Sequence, residues 1–299
     1  MRICVISAPM AIQETMGRLP VLGVGWYRRK LTMDPRDEGK TIYLDIDGAM
    51  SYAMVWLDGK LVGGWPYPYN SFRLDPTPYL KLGHDNQLAI RLDNPKKSAR
   101  WYPGGGLYRK LWLTKTERVH VAHWGTFITP KNVSKKSATV NLVVEIENNA
   151  PKDRQIEVVT DVHVLDAEAG RRGRKVATFE WVKTHVRAGQ RQAINETVEV
   201  LNPRLWGPPP TQTPNLYVAV TRVYVDREEI DTYETRFGIR SLTYDSNKGL
   251  LVNGERFAIQ GANQHHNLGA RGSCVQPPCR RTTTGDPARI GLQCCSNGT

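Results

Sequence analysis

Cysteine is missing from the body of this 299-residue chain: after Cys4 the next one is Cys274. That gap excludes a disulfide framework and thiolate metal sites over most of the length, and it fits a reducing compartment without requiring one. The last four, Cys274, Cys279, Cys294 and Cys295, lack the paired spacing of a zinc knuckle and end in an adjacent pair. No metal and no cofactor is expected. Long apolar runs are missing as well. None approaches the roughly 18 residues of a membrane helix, and Ile3 to Ile6 is too short for the core of a signal peptide. The expectation is therefore a cytoplasmic protein without a membrane partner, with a leader ahead of an incomplete start left open. Basic blocks are the third absence. The net charge is +12, which raises nucleic acid as a partner. Yet Lys and Arg are scattered along strand and turn patterns with no recognised binding motif, so no nucleic-acid partner is expected. Homo-oligomerisation is left open.

What is present is a long series of short strands. Apolar residues make up 40% of the chain, enough for ordinary packed cores, and a chain of this length holds about two domains with part of a third. From Leu19 to about Thr126, strands punctuated by turns read as an all-β sandwich or jelly roll. Trp26 to Leu31 and Thr41 to Ile46 alternate apolar and polar. Ala53 to Leu57 runs into Asp58-Gly59 and continues as Lys60 to Gly64, a hairpin. Phe72 to Asp75 and Gln87 to Leu92 add two more strands, the second closed by Asp93-Asn94-Pro95. From about Phe127 to Arg240 a second all-β unit follows, with strands at Ala138 to Ile146 and Gln155 to Val162. Glu168 to Lys175 reads as a charged turn whose Arg171, Arg172 and Arg174 are solvated. The prolines of Pro203 to Tyr217 cannot continue a sheet. They launch Val218 to Val223, expected to be the longest alternating strand of the unit.

The segment Arg100 to Arg109, RWYPGGGLYR, makes unusual demands on the backbone. Three consecutive glycines let the chain pass close to its neighbours, while Trp101, Tyr102 and Tyr108 are large anchors. It reads either as a packed corner between domains or as a sugar contact. Further on, Asn253-Gly254 between apolar runs is a strong two-residue hairpin signal, because both turn positions need positive φ. Phe257 to Gly261 then reads as a short buried strand ending in the polar cluster Asn263, Gln264, His265 and His266.

Several of these stretches resemble glycoside hydrolase family two, the family of the β-galactosidases, β-glucuronidases and β-mannosidases. Gly25 to Arg28, Val55 to Gly59, Asp75 to Leu80, the tryptophan-glycine segment at Trp101, the Trp206 turn, Asn215 to Tyr217, Phe237 to Arg240 and Gly249 to Asn267 fall in family order. They cover about four fifths of the chain, from about Leu19 to Ala270. The resemblance implies a mainly β fold. A jelly-roll sugar-binding-type domain occupies 1–126, with 1–18 incomplete or disordered, and an immunoglobulin-like sandwich follows at 127–241. The first segment of a catalytic TIM (β/α)8 barrel takes 242–270. Such a barrel needs about 250 residues, so it is not complete here. Residues 271–299 lose all period. If Ser273 to Thr299 is back-translated with suitable third bases and read one nucleotide later, a helix-spaced peptide and then a strand-like run appear. That tail is expected to be out of frame.

A retaining glycosidase needs two carboxylates about 5–5.5 Å apart, and the family carries both glutamates on later barrel strands, so none is assigned here. Glu145, Glu147 and Glu255 lie in strand or turn patterns and read as structural. Within the surviving part of the site, the resemblance makes His265 a sugar contact, with Asn263 and His266 as further substrate-binding candidates. A metal-ligating histidine pair is disfavoured, since adjacent side chains on a strand point to opposite faces. In some β-galactosidases an aspartate two residues before the tryptophan touches the sugar. Ala99 holds that position here, so no such contact is carried over. The expected function is that of the N-terminal part of a retaining β-glycosidase, most like a β-galactosidase, with a β-glycoside as substrate of the full-length relative. The rival readings are a non-catalytic carbohydrate-binding or assembly module and a basic nucleic-acid-binding protein.

Overall fold

The strand patterns become two separate β-sandwiches in a computed structural model that describes residues 2–6, 12–13, 23–95, 104–166 and 170–261. One unit comprises Met1–Lys115 with Ile259–Thr299, the other Thr116–Ala258. No α-helix occurs among the described residues.

In the first unit, one four-stranded sheet has the order Arg2–Ile6, Leu111–Thr116, Thr41–Ile46, Phe72–Leu74. The other runs Gly23–Thr32, Asp85–Asn94, Ala53–Leu57, Lys60–Trp65. Both sheets contribute to one apolar core that includes Leu31, Ile42, Leu44, Ile46, Val55 and Ile90, the architecture of the expected jelly roll. The Asp58-Gly59 hairpin forms as read, with φ of 48° and 80° at its two turn residues. Thr41–Ile46 departs from the expected alternation, because all six residues are buried. This strand lies inside its sheet and its polar members have partners there. Asp45 accepts from Arg73 at 2.6 and 3.0 Å and from the Thr114 hydroxyl at 2.6 Å. The Arg73 guanidinium also lies 4.5 Å from the centre of the Tyr43 ring. A paired charge is tolerated where a lone one would not be.

The second unit pairs a three-stranded sheet, Val119–Lys131, Ser137–Asn148, Arg191–Leu201, with a five-stranded one. The latter has the order Arg171–Thr178, Arg154–Asp166, Leu216–Val225, Glu228–Phe237, and Val182–Val186 pairs with the start of Arg154–Asp166. Ser137–Asn148 alternates strictly between half-buried and buried, as a strand with one face on a core must. The core it faces holds Val140, Leu142, Ile146, Ile156, Tyr217 and Ile239, among others. This is the immunoglobulin-like sandwich.

Two expectations fail here for one reason. Arg171, Arg172 and Arg174 are not in a turn but on the edge strand Arg171–Thr178, where they remain exposed. Nor is the strand Leu216–Val225 the longest or strictly alternating. It has 10 residues against 13 in Arg154–Asp166, and Tyr217 to Thr221 are all buried. The outer face of this sheet is roofed by its own long side chains. Arg172 pairs with Glu234, and that link spans the two intervening strands over a small buried cluster of Leu165, Val218 and Val220. Long side chains bury their stems and keep their heads in water, so a charged face covers valines that a period-two reading assigns to solvent.

Past Ile239 the chain makes a small antiparallel meander, Leu242–Asp245, Gly249–Val252, Glu255–Arg256. Asn253 and Gly254 take φ of 54° and 82°, the positive values the hairpin reading required. The buried strand expected at Phe257 to Gly261 does not form. Only Glu255–Arg256 pairs, and Ile259 is 71% exposed. A strand needs a neighbour for its backbone groups, and here the pairing ends with the Phe257 amide, which donates to the Leu250 carbonyl at 2.9 Å.

Candidate functional site

The polar cluster singled out from the sequence, Asn263, His265 and His266, lies outside the described residues, and so do Trp101 and Tyr102. What the structure does show is how the meander that precedes that cluster in the sequence is held. The meander is fastened to the proline-rich segment Pro203 to Tyr217 by a knot of side chains. Asn253 donates from Nδ2 to the Trp206 carbonyl at 2.9 Å and to Gln212 Oε1 at 2.8 Å, while its Oδ1 accepts from the Ser241 amide at 3.0 Å. Gln212 Nε2 donates in turn to the Val252 carbonyl at 2.9 Å and to Glu255 Oε2 at 3.1 Å. The two amide side chains thus hold both sides of the turn.

Sequence chemistry explains why the knot closes. Trp206 begins a loop that cannot join a sheet, yet its amide reaches the Ile239 carbonyl at 2.8 Å and it bridges to Pro214. Its ring carries the Arg240 guanidinium 4.5 Å from its centre, a cation–π contact. Close packing of side chains demands glycine at two places. A Cβ on Gly238 would sit 2.8 Å from Trp206 Cβ, and one on Gly207 would sit 2.0 Å from Gln212 Oε1. Below the loop, the buried Tyr217 hydroxyl accepts from the Arg204 amide at 2.7 Å. Gln212 and the inner role of Asn253 were not legible in the sequence. A glutamine inside a proline-rich run matches no motif, and Asn253 announces a turn without announcing its partners.

Several acidic groups of this unit are engaged in the fold. Glu147 accepts from Arg191 at 3.1 Å, and Glu255 from Gln212. Asp161 is the most constrained. Burial by itself raises its pKa, but bonds from Arg222 at 2.7 Å and the Thr178 hydroxyl at 2.7 Å, with Lys175 alongside, outweigh that and hold it down at about 2. Such a carboxylate is an acceptor and an ion-pair partner, unsuited to proton transfer near neutrality. A cavity of about 10 Å³ between the sheets, lined by residues such as Leu142, Val158 and Phe179, holds at most a water. In the first unit, the described part of the tryptophan-glycine segment packs. Leu107 is 1% exposed, and the Tyr108 hydroxyl donates to the Pro68 carbonyl at 2.7 Å.

Comparison with known proteins places this architecture. Residues 119–240, the immunoglobulin-like sandwich, match the family model described as Glycosyl hydrolases family 2. A β-galactosidase of Bacteroides ovatus is 38% identical over 260 residues, covering 87% of this chain and 29% of its own. A β-glucuronidase of Formosa agariphila is 26% identical, covering 81% of this chain and 26% of its own. Among solved structures, a glycosyl hydrolase family 2 member from Bacteroides cellulosilyticus superimposes with a TM-score of 0.80 at 27% identity, covering 91% of this chain and 36% of that one. The chain spans about a third or less of the curated relatives' length. Ordered sequence motifs, the matched sandwich and the shared two-sandwich fold converge, and this chain belongs to glycosyl hydrolases family 2.

Proposed function

We propose that the chain is the N-terminal part of a retaining β-glycosidase acting on terminal β-linked sugars, with a β-galactoside as the preferred substrate class. The observation that carries this reading is the 38% identity to a β-galactosidase sustained over 260 residues, which runs through both sandwiches. In the proposal the sandwiches and the Trp206–Gln212–Asn253 knot act as scaffold. They deliver the segment bearing Asn263 and His265 to a barrel, where a neutral imidazole can hydrogen-bond a sugar hydroxyl. His266 is the third candidate contact.

Chemistry limits what these 299 residues do by themselves. Retention requires an acid/base carboxyl and a nucleophilic carboxylate about 5–5.5 Å apart. The acids Glu147, Glu255 and Asp161 are each tied to a cation or an amide. The purified chain is therefore expected to turn over neither aryl β-galactoside nor aryl β-glucuronide above background. Turnover abolished by Glu145→Gln, Glu147→Gln or Glu255→Gln would overturn that. The parent reading is tested by the nucleotide sequence through and beyond the codons for Ala270 to Ser273. A frame encoding barrel strands with two glutamates is expected, and clean sequence with no barrel in any frame would refute it.

A further inference from the structure

The scattered cations of the sequence are gathered by the fold at one end of the second sandwich. Lys131, Lys135 and Lys136 flank the turn between Val119–Lys131 and Ser137–Asn148, and all three are exposed. That turn is tied to the segment following Arg191–Leu201 by the Asn202 amide, which donates to the Lys136 carbonyl at 2.8 Å, and by pairing of Ser137 with Leu201. Two residues on, exposed Arg204 donates its amide to Tyr217. On the exposed edge strand Arg172 stands opposite Leu165 and Lys175 opposite His163, and those two pair in turn with Leu216 and Val218 on either side of Tyr217. Arg174 therefore faces the same end. None of these five side chains makes an ion pair with a described residue. The segments 131–137 and 201–205 contain no acid, whereas Glu234 and Asp161 reach 171–175 and pair there with Arg172 and Lys175, leaving Arg174 between them. The opposite end of the sandwich is also rich in Lys and Arg, but Glu147 pairs there with Arg191, and Asp153 stands between Lys152 and Arg154.

We infer that this end is a binding surface for an acidic polysaccharide, a polyuronate or sulfated glycan, that presents the parent enzyme's substrate polymer. Five exposed cations without an ion-pair partner among the described residues attract a polyanion, most strongly at low salt. Guanidinium forks such as Arg174 and Arg204 match carboxylate and sulfate oxygens. Charge complementarity selects a polyanion, and the choice of carbohydrate rests on the glycosidase reading above. The surface consists of loops and a strand edge, and no element of it is shaped to enter a nucleic-acid groove.

The test uses the purified 299-residue chain with polygalacturonate, neutral galactan and a random DNA duplex as probes. Polygalacturonate should bind at low salt and release as salt rises, and galactan should not bind. The variant Lys135→Gln/Lys136→Gln/Arg204→Gln should lose about tenfold in affinity, as expected for three exposed charge contacts. Lys152→Gln/Arg154→Gln/Arg187→Gln removes the same charge from the opposite end and should change affinity less than about twofold. Equal losses in the two variants would show a net-charge effect and overturn the site. So would equal binding of DNA, or no polygalacturonate binding at all. Any of these results leaves the glycosidase reading standing, because that reading is tested by the encoded barrel and not by polymer binding.

Discussion

Asn253 does two jobs at once, and they are separable by substitution. Its positive φ of 54° is a conformation asparagine tolerates better than most side chains, and its amide makes three hydrogen bonds. Asn253→Ala removes both contributions and should lower stability by about 2–3 kcal/mol, counting about 1 kcal/mol for each of the better bonds and for the backbone. Asn253→Gly keeps the turn and should fall between, as read from urea unfolding midpoints. Asp161 gives a prediction with a sign. A carboxyl held at about 2, below its unfolded value near 4, stabilises the fold above that unfolded value. The contribution, about 2 kcal/mol, is lost as pH falls from near 4 through about 2. Asp161→Asn should therefore be clearly less stable than the parent at pH 6, with the gap narrowing by pH 2.5. A gap independent of pH would remove this account of Asp161.

At the scale of single elements, the edge strand Arg171–Thr178 shows how a charged stretch becomes structural. Its arginines read as solvent-exposed from the sequence, and they are exposed, yet Arg172 roofs valines on the strand Leu216–Val225 through its link to Glu234. If stem packing matters more than the exposed ion pair, Arg172→Met should stay within about 0.5 kcal/mol of the parent, while Arg172→Ala should lose about 1 kcal/mol. Chemical denaturation of the two variants distinguishes the cases, and equal losses would mean the charge pair dominates. The strand Thr41–Ile46 makes the same point from inside. Its period-two pattern is present in the sequence, but Arg73 and Thr114 arrive from distant positions to satisfy Asp45. No local pattern announces such partners. The Asn253-Gly254 and Asp58-Gly59 hairpins lie at the other extreme, since steric demand for positive φ is written into two adjacent residues.

Among the described residues, the two larger apolar cores share no buried residue: those of one run from Leu31 to Leu113 and those of the other from Val119 to Ile239. Each sandwich is closed by its own sheets, so Thr116–Ala258 expressed alone should fold and unfold as one cooperative transition. A broad, non-cooperative melt of that piece, followed by circular dichroism, would refute independent closure. The +12 charge likewise changes meaning at this scale. As a composition it spreads over strands and turns, and as a structure it places Lys131, Lys135, Lys136, Arg174 and Arg204 at one end of one sandwich.

The sequence by itself determined the all-β class, most strand positions, the positive-φ turns and the family resemblance, because each rests on residues adjacent in the chain or on ordered local motifs. Tertiary structure decided the rest. The burial of both faces at Tyr217 to Thr221, the Gln212–Asn253–Trp206 knot and the basic end each depend on side chains brought together from segments tens of residues apart, and only the pairing register of the sheets specifies those meetings. Phe257 to Gly261 shows the same dependence in reverse: its apolar pattern is that of a strand, but a strand exists only where another backbone lies alongside to take its hydrogen bonds.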